Sequence, residues 1–297
     1  MNATKPSSSP KIRRVALAMV TGLAGAFGPS SAAGGADIRP VLTIEATQGT
    51  VVRWSQPGTK RCGMGRKSWP SLQETCYYPI DLTEKPGLIT ISRRGVGPAE
   101  LAHLSVQASS YGSEEIALGD IPQANPKPAD LQRNARDQAL LAKVWGRREG
   151  PARFTLPLGT PASPLPEGKG FGAKWIFDGK SDSADLHSGA DYAVTVGTPI
   201  VAPADGAVVL AADLFFAGNA VFIDHGDGLI SMSFHISEIK VKPGQELKRG
   251  DVIGLVGQTG RTTGPHLHFG IRWHGARIDP QIVLSDPAKI PAVSPEG

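Results

Sequence analysis

Two short motifs in the second half of the chain carry side chains that could bind a divalent metal. The first is HSGAD at residues 187–191, and the second is HLH at residues 266–268. The inner glycine and the β-type residues after Asp191 predict a loop that enters a strand. A strand at the second motif would point His266 and His268 to one face. Two imidazoles and a carboxylate suit zinc, and three protein ligands leave a fourth position open for chemistry.

The bare motifs leave two questions open. Short histidine patterns also occur where histidines make hydrogen bonds in turns, so the motifs alone are a weak indication of a metal site. Their spacing does not decide whether His266 or His268 would be the third ligand beside His187 and Asp191. The chain has no HExxH motif, so it offers no glutamate base of the thermolysin kind.

The composition predicts a turn-rich β protein around these motifs. The chain has 297 residues, of which 36 are glycine and 25 proline, and 40% are hydrophobic. Glycine and proline thus make up about a fifth of the chain, well above the usual share, and this disfavours long helices. The length allows two domains.

The net charge of +4 comes from the start of the chain. Residues 1–33 hold four basic residues and no acidic one, and the remainder is formally neutral. A clustered basic face for nucleic-acid binding is therefore not expected. Lys11, Arg13 and Arg14 precede an uncharged run from Val15 to Phe27 and then small residues. This order predicts a secretory signal peptide over residues 1–33.

The apolar run of the leader is shorter than the ~20 residues that a membrane-spanning helix needs. We therefore expect no stable membrane span once the signal is cleaved. An uncleaved anchor and a disordered tail are the alternative interpretations of residues 1–33. Export also suits the two cysteines, because Cys62 and Cys76 would pair as a disulfide in an oxidising compartment. Two separate reduced thiols are the alternative.

The rest of the chain divides by its local patterns. Residues 34–127 show short β-type runs at regular spacing, which predict a β-sandwich domain. Residues 128–149 carry apolar residues at helical spacing and predict one linking helix, with Asp130 as its N-cap. Residues 150–285 return to short strands with glycine turns and predict a second β domain. Residues 286–297 are expected to form a flexible tail.

The text around the motifs resembles the lysostaphin/LytM-type zinc metallopeptidase family, whose members are peptidoglycan endopeptidases. The resemblance runs from about Phe171 to Ile282 through HSGADYAVTVGTPIVAPADGAVV, GNAVFIDHGDGLISMSFHIS and VKPGQELKRGDVIGLVGQTGRTTGPHLHFGI. It implies a mainly all-β chain. An N-terminal immunoglobulin-like β-sandwich and one helix would precede an antiparallel β-sheet peptidase domain, similar to a duplicated hybrid motif, with a groove over the metal.

The resemblance also implies a role for each site residue. His187, Asp191 and His268 match the family's ligands to one zinc ion per chain. His266 matches the non-ligating histidine over the open face of the metal, and His235 matches the second catalytic histidine. The family often has an aromatic residue two positions before the latter, where this chain has Ser233. The adjacent Phe234 is expected to face the other way on a strand.

The expected activity is zinc-dependent hydrolysis of peptidoglycan cross-links at the D-Ala–meso-diaminopimelate bridge, with a glycine-bridge substrate left open. Peptidoglycan and envelope regulators are the expected partners, and the protein is expected to be exported to the periplasm or secreted. One alternative is an envelope scaffold or hydrolase activator without catalysis of its own. Another is a phosphocarrier with a similar hairpin arrangement, which the leader disfavours. The first domain would position the peptidase or cover its groove, and residues 150–285 are expected to fold alone.

Overall fold

The computed structural model describes residues 41–146, 150–179 and 186–293. Within these ranges the chain is mainly β, which confirms the fold class predicted from the sequence. The leader at residues 1–33 lies outside the described residues. None of the helices in the described ranges is long and apolar enough to cross a bilayer.

Two sheets form the first half of the chain. Its strands are β1 Leu42–Thr47, β2 Val51–Ser55, β3 Arg61–Met64, β4 Lys67–Pro70, β5 Thr75–Pro79, β6 Gly87–Arg94 and β7 Glu100–Gln107. Five of them pair in the order β1-β7-β6-β3-β4, and β2 pairs with β5 in a second sheet. Alternate residues of both sheets, among them Trp54, Tyr78 and Leu104, are buried in one shared core. Two sheets packed over one core form the sandwich that the strand spacing predicts.

A disulfide joins the two sheets. Cys62 on β3 is bonded to Cys76 on β5, and their Cα atoms lie 5.4 Å apart. Both residues are buried in the sandwich core. The pairing predicted from the sequence is therefore confirmed.

The predicted helix is α1, Pro128–Trp145, and its N-cap differs from the predicted one. Lys127 is the N-cap, with Pro128 at the first helical position, and Asp130 lies inside the first turn. The Asp130 carboxylate accepts a hydrogen bond from the Lys127 backbone N–H at 2.9 Å. The prediction of Asp130 as N-cap was wrong because Pro128 suits the first turn, where its missing N–H costs nothing.

The second half of the chain is built on a seven-stranded sheet. Its strands are β10 Ala190–Tyr192, β12 Gly206–Leu214, β13 Gly218–Asp224, β14 Leu229–Ile236, β16 Glu246–Leu247, β18 Leu267–Trp273 and β19 Ala276–Ile278. The main path runs β10-β18-β14-β13-β12-β16, and β19 pairs with β18. Smaller sheets are formed by β8 Ser113–Ile116 with β9 Lys174–Phe177, and by β11 Pro199–Val201, β17 Val252–Leu255 and β15 Glu238–Ile239. A short helix α2, Pro280–Leu284, follows β19.

The two faces of the seven-stranded sheet bury different partners. Leu267, Phe269, Ile271 and Trp273 alternate along β18 and lie in the main core. On the opposite face, α1 packs through Leu141, Val144 and Trp145 on Phe222 and Met232. Because Phe234 pairs with His268 and Met232 with Gly270, this second face is also the one that carries His268.

The two halves are in direct contact through buried and partly buried side chains. The Asp81 carboxylate accepts hydrogen bonds from the Arg277 guanidinium at 2.6 and 3.0 Å. Val51 and Tyr77 lie in the same core cluster as the strands of the second half. His274 is buried and stacks on Trp69 with ring centroids 4.2 Å apart. This shared core argues against the expectation that residues 150–285 fold alone.

The described part of the expected flexible tail is packed against the rest of the chain, so that expectation was wrong for residues 286–293. A 3₁₀ turn, Pro287–Lys289, leads to Ile290 and Val293, which are both buried. The Arg53 backbone N–H donates to Pro291 O at 2.8 Å, and the Val293 N–H donates to Arg53 O at 2.8 Å. The segment from Pro291 to Val293 docks beside β2 because its backbone groups pair with those of Arg53 at the edge of that strand. Residues 294–297 lie outside the described ranges.

Candidate metal centre

His187 lies just before β10 and is held by backbone hydrogen bonds to the segment Gly172–Ala173, which precedes β9. Its N–H donates to Ala173 O at 2.9 Å, and its carbonyl accepts from Gly172 N at 2.8 Å. Trp175 on β9 covers the imidazole, with ring centroids 4.5 Å apart. Gly170 has a φ of +79°, and a Cβ there would lie 2.8 Å from His187 Nδ1. A side chain at this position would therefore push the ring out of its place.

Asp191 and His268 are brought together by strand pairing. Asp191 on β10 is the direct antiparallel partner of His268 on β18. His268 is buried and stacks on Phe234 with ring centroids 4.8 Å apart and planes 2° apart. The pairing of these two short segments explains why residues 77 positions apart in the chain meet at a 2.9 Å contact.

Three ligand atoms converge at one point. His187 Nε2 lies 3.1 Å from Asp191 Oδ1, His268 Nδ1 lies 2.9 Å from the same oxygen, and the two nitrogens are 2.9 Å apart. A tetrahedral zinc with bonds of about 2.0–2.1 Å needs its ligand atoms about 3.3 Å apart. The three atoms therefore need to spread by only a few tenths of an ångström to accept the ion. The donor set, two imidazoles and one carboxylate, fits zinc.

The electrostatics of Asp191 also suit a cation site. Burial by itself would raise the pKa of this carboxyl, but hydrogen bonds from His187, His266 and His268 hold its pKa far below the ordinary value. Burial lowers the pKa of His268. A carboxylate held in its charged form beside a buried imidazole that favours its neutral form is the protonation state in which both can bind a metal.

His235 and His266 face the same region, and each is held through its Nδ1 atom by a backbone carbonyl. His235 Nδ1 contacts Thr259 O at 2.8 Å, and His266 Nδ1 contacts Gly264 O at 2.9 Å. A carbonyl can only accept, so both rings carry their proton on Nδ1 when neutral, and Nε2 is left with its lone pair. His266 Nε2 lies 3.5 Å from Asp191 Oδ1, and the two histidine rings have centroids 4.7 Å apart.

The surroundings separate the pKa values of these two histidines. Burial, together with the neighbouring His268 and His266, lowers the pKa of His235 to about 3. Burial alone would also lower the pKa of His266, but the Asp191 carboxylate raises it above the ordinary value. Pairs of groups with diverging pKa values are typical of sites that both accept and donate protons.

Phe234 contradicts the expectation that it faces away from the site. His235 has a φ of +61°, and the pairing of β13 with β14 shifts register beside it. This bulge breaks the strand alternation, so the neighbouring residues Phe234 and His235 both reach the metal face. Phe234 packs on His268, and Ser233 pairs with Phe269 on the core side. Phe234 therefore supplies the aromatic side chain that the family pattern places at position 233, one residue later in the chain.

The sequence-predicted site residues are thus brought together, and the other histidines are not. His225 is fully buried and contacts Asp205 O and Ser231 Oγ, both at 2.8 Å, as a turn residue in the core. Sequence patterns did not predict Trp175, which packs on His187, or Phe177 and Arg261, which pack beside Trp175. The run KWIF, shortly before the HSGAD motif, was the signal that could have indicated the aromatic pair.

Comparison with known proteins identifies the family. A profile of Peptidase family M23 matches residues 185–280. The peptidoglycan DD-endopeptidase ShyA of Vibrio cholerae is 44% identical over 116 residues, which cover 36% of this chain and 27% of that protein. The DD-carboxypeptidase/endopeptidase Mpg of Neisseria meningitidis is 43% identical over 95 residues, which cover 32% of this chain and 22% of that protein. The matched segments therefore span about a quarter of these relatives' lengths.

One solved structure matches most of the chain. A crystal structure from Pseudomonas aeruginosa, described as a candidate M23 peptidase, is 33% identical with a TM-score of 0.59. The match covers 80% of this chain and 94% of that one, so the likeness includes both halves of the fold. Together with the profile match, it shows that the chain belongs to peptidase family M23.

Proposed function

We propose that this protein is a zinc endopeptidase that hydrolyses peptide cross-links of peptidoglycan, with the D-Ala–meso-diaminopimelate bridge as its target. The observation that carries the proposal is the convergence of His187 Nε2, Asp191 Oδ1 and His268 Nδ1 to within 3.1 Å of one another. The similarity to proteins named DD-endopeptidase supports the choice of substrate.

In this proposal His187, Asp191 and His268 hold one zinc ion per chain. When bound, zinc supplies Lewis acidity, which makes a hydroxide nucleophile available near neutral pH and polarises a carbonyl. The three residues supply only one negative charge, so the site would keep a net positive charge with a divalent ion bound. This charge would stabilise the oxyanion that forms during hydrolysis. The cover of Trp175 and Phe234 over the two imidazoles limits water around the ligands and fixes their rings.

His235 and His266 are the proposed proton-transfer residues. His235 Nε2 accepts the proton of the attacking water, because Thr259 O binds the protonated Nδ1 and leaves the lone pair on Nε2. His266 Nε2, when protonated, donates to the oxyanion and passes its proton to the leaving amine nitrogen as the C–N bond breaks. The raised pKa of His266 favours this donor role.

The domain organisation and the location are proposed as well. We infer a sandwich domain at residues 34–127, the linking helix at 128–149 and the peptidase domain at 150–285, now extended by the docked residues 286–293. The order of charged, apolar and small residues in the leader supports a signal peptide and export to the periplasm, and the disulfide suits an oxidising compartment. A scaffold without catalysis is disfavoured, because all five site positions carry competent side chains.

Cleavage of defined muropeptide dimers tests the substrate. The zinc-loaded protein is expected to convert a D-Ala–diaminopimelate-linked dimer to monomers, and His266→Ala protein serves as the matched inactive control. Cleavage of a glycine-bridged dimer in its place would reassign the bond and leave the endopeptidase class intact. If both kinds of dimer remain uncleaved after prolonged incubation, the proposed activity is wrong.

A further inference from the structure

The loop at residues 258–265, which we call the anchoring loop, holds both proposed proton-transfer histidines. Thr259 O contacts His235 Nδ1 at 2.8 Å, and Gly264 O contacts His266 Nδ1 at 2.9 Å. The side chain of Thr259 is itself fixed, since its Oγ1 accepts from Asn219 N and donates to Ile236 O, each at 2.9 Å. The position of this loop therefore sets the tautomer and direction of both imidazoles.

Arg261 lies in the middle of the anchoring loop and is clamped between two aromatic rings. Its guanidinium carbon lies 4.2 Å from the ring centroid of Phe177 and 4.5 Å from that of Phe216, with Trp175 at 5.6 Å. The Arg261 backbone N–H donates to Phe216 O at 2.8 Å. Phe177 ends β9, and Phe216 lies in the turn between β12 and β13. Arg261 thus joins the anchoring loop to two separate elements.

The element that carries Phe177 is fixed from a different part of the chain. β9 pairs in parallel with β8, so Glu114 lies opposite Trp175 and Ile116 opposite Phe177. The same strand covers the ligand His187 through Trp175. One of the two rings that clamp Arg261, that of Phe177, therefore belongs to a strand that β8 holds in place. The same strand lies beside His187.

We propose that Arg261 is a positioning residue, which holds the anchoring loop between Phe177 and Phe216 and thereby aims His235 and His266 at the substrate. This inference rests on the proposed endopeptidase function. A flat guanidinium can stack on both rings at once, whereas the compact ammonium of lysine cannot. Two such cation–π contacts on one guanidinium favour a single arrangement of the short loop that carries it.

Kinetics of four variants test the proposal. Arg261→Ala is expected to lower kcat about 10- to 100-fold, because small displacements of proton-transfer groups have effects of this size. KM and the zinc affinity measured by chelator competition should stay within about twofold, since neither ligand nor substrate contact is removed. Phe216→Ala should lose a similar factor, and the double variant should lose no more than the worse single one. Arg261→Lys should recover part of kcat.

Arg133→Ala is the matched control, because Arg133 stacks on the neighbouring Phe215 at 5.9 Å and pairs with Asp213 away from the anchoring loop. It should leave kcat unchanged. A rise in KM with kcat retained would overturn the proposal and make Arg261 a substrate-binding residue. Additive losses in the double variant would also overturn it.

Hydrogen–deuterium exchange tests the clamp without turnover. In zinc-loaded protein, Arg261→Ala should speed exchange of residues 258–265, and Arg133→Ala should not. Unchanged exchange in Arg261→Ala would refute the clamp even if the enzyme is active. If the wild-type protein cleaves no muropeptide, the proposed function fails, while the exchange result still decides whether Arg261 holds the loop. If Arg261→Ala does not fold, Phe177→Leu replaces it in both measurements.

Discussion

His187, Asp191 and His268 bring their ligand atoms to one point, whereas His235 and His266 lie beside that point and are held from behind. Their ligand atoms meet within 3.1 Å, whereas His235 and His266 have Nδ1 bound to backbone carbonyls. Strand spacing predicts that His266 and His268 share a face but not which of them binds metal. In the strand pairing His268 lies opposite Asp191, which supports it as the proposed ligand.

Removing a ligand should abolish zinc binding and activity together. His187→Ala and Asp191→Ala are each expected to be purified with little zinc, because two remaining ligands bind the ion far more weakly. Metal content per chain, measured by mass spectrometry beside the turnover rate, checks this. His103→Ala, a change in the sandwich, should keep one zinc per chain. Full zinc occupancy in both variants would contradict the assignment of His187 and Asp191 as ligands.

The two proton-transfer histidines should behave differently from the ligands. His235→Ala and His266→Ala are expected to keep zinc and to lose about 10²–10⁴-fold in kcat, the usual contribution of general acid–base groups. Zinc titration and muropeptide turnover on the same samples measure both quantities. Loss of zinc in His266→Ala together with retention in His268→Ala would reverse the order of the two histidines in our assignment.

The strands and the helix were predictable to different degrees. The helix at Pro128–Trp145 follows from apolar spacing, and the strands follow from alternation. The bulge at His235 could not be predicted, because a positive φ at a non-glycine residue is held by long-range contacts such as that with Thr259 O. The docking of residues 286–293 was missed for a similar reason, since proline-rich ends are often loose and only the free edge of β2 fixes this one.

The disulfide between β3 and β5 should stabilise the protein without affecting the metal site. Closing a loop of this length contributes about 3 kcal/mol in the chain-entropy model. The double variant Cys62→Ala/Cys76→Ala is expected to lose a similar free energy of unfolding and to keep its zinc affinity. Urea unfolding of the variant and of the oxidised protein measures the difference. An unchanged midpoint would contradict the stabilising role, as would labelling of both thiols in non-reduced protein.

The whole molecule depends on contacts between its two halves that sequence patterns did not reveal. Asp81 and Arg277 are nearly 200 positions apart and no local pattern links them. The same holds for Trp69 on His274 and for Val51 in the main core. Because of these contacts, the first half of the chain packs directly on the seven-stranded sheet. Its proposed role, to position the peptidase domain or to cover the groove, would therefore be exerted from a fixed place.

The Asp81–Arg277 pair makes this joint sensitive to acid. Burial would raise the pKa of Asp81, but hydrogen bonds from Arg277 and Thr83 hold its pKa well below the ordinary value. A carboxyl with a lowered folded-state pKa contributes stability that is complete above the unfolded value, about 4, and is lost as the pH falls below it. The free energy of unfolding should therefore decrease as the pH is lowered below about 4.

Asp81→Asn should lower stability at neutral pH, on the order of 2 kcal/mol, and flatten the decline in acid. Urea midpoints at neutral pH and near pH 3 measure both effects. Asp213→Asn is the matched control, since its ion pair with Arg133 is exposed and should change stability by less than about 1 kcal/mol. An identical fall of the midpoint in wild type and Asp81→Asn would contradict the role of this pair.

Digestion of purified sacculi tests the central claim most directly. Zinc-loaded wild-type protein is expected to convert cross-linked muropeptides to monomers, with mass spectrometry showing a new free amino group on diaminopimelate and a new D-Ala carboxylate. His187→Ala protein should leave the cross-links intact, and zinc removal from the wild type should do the same. Undiminished cross-links after treatment with folded, zinc-loaded wild-type protein would contradict the account.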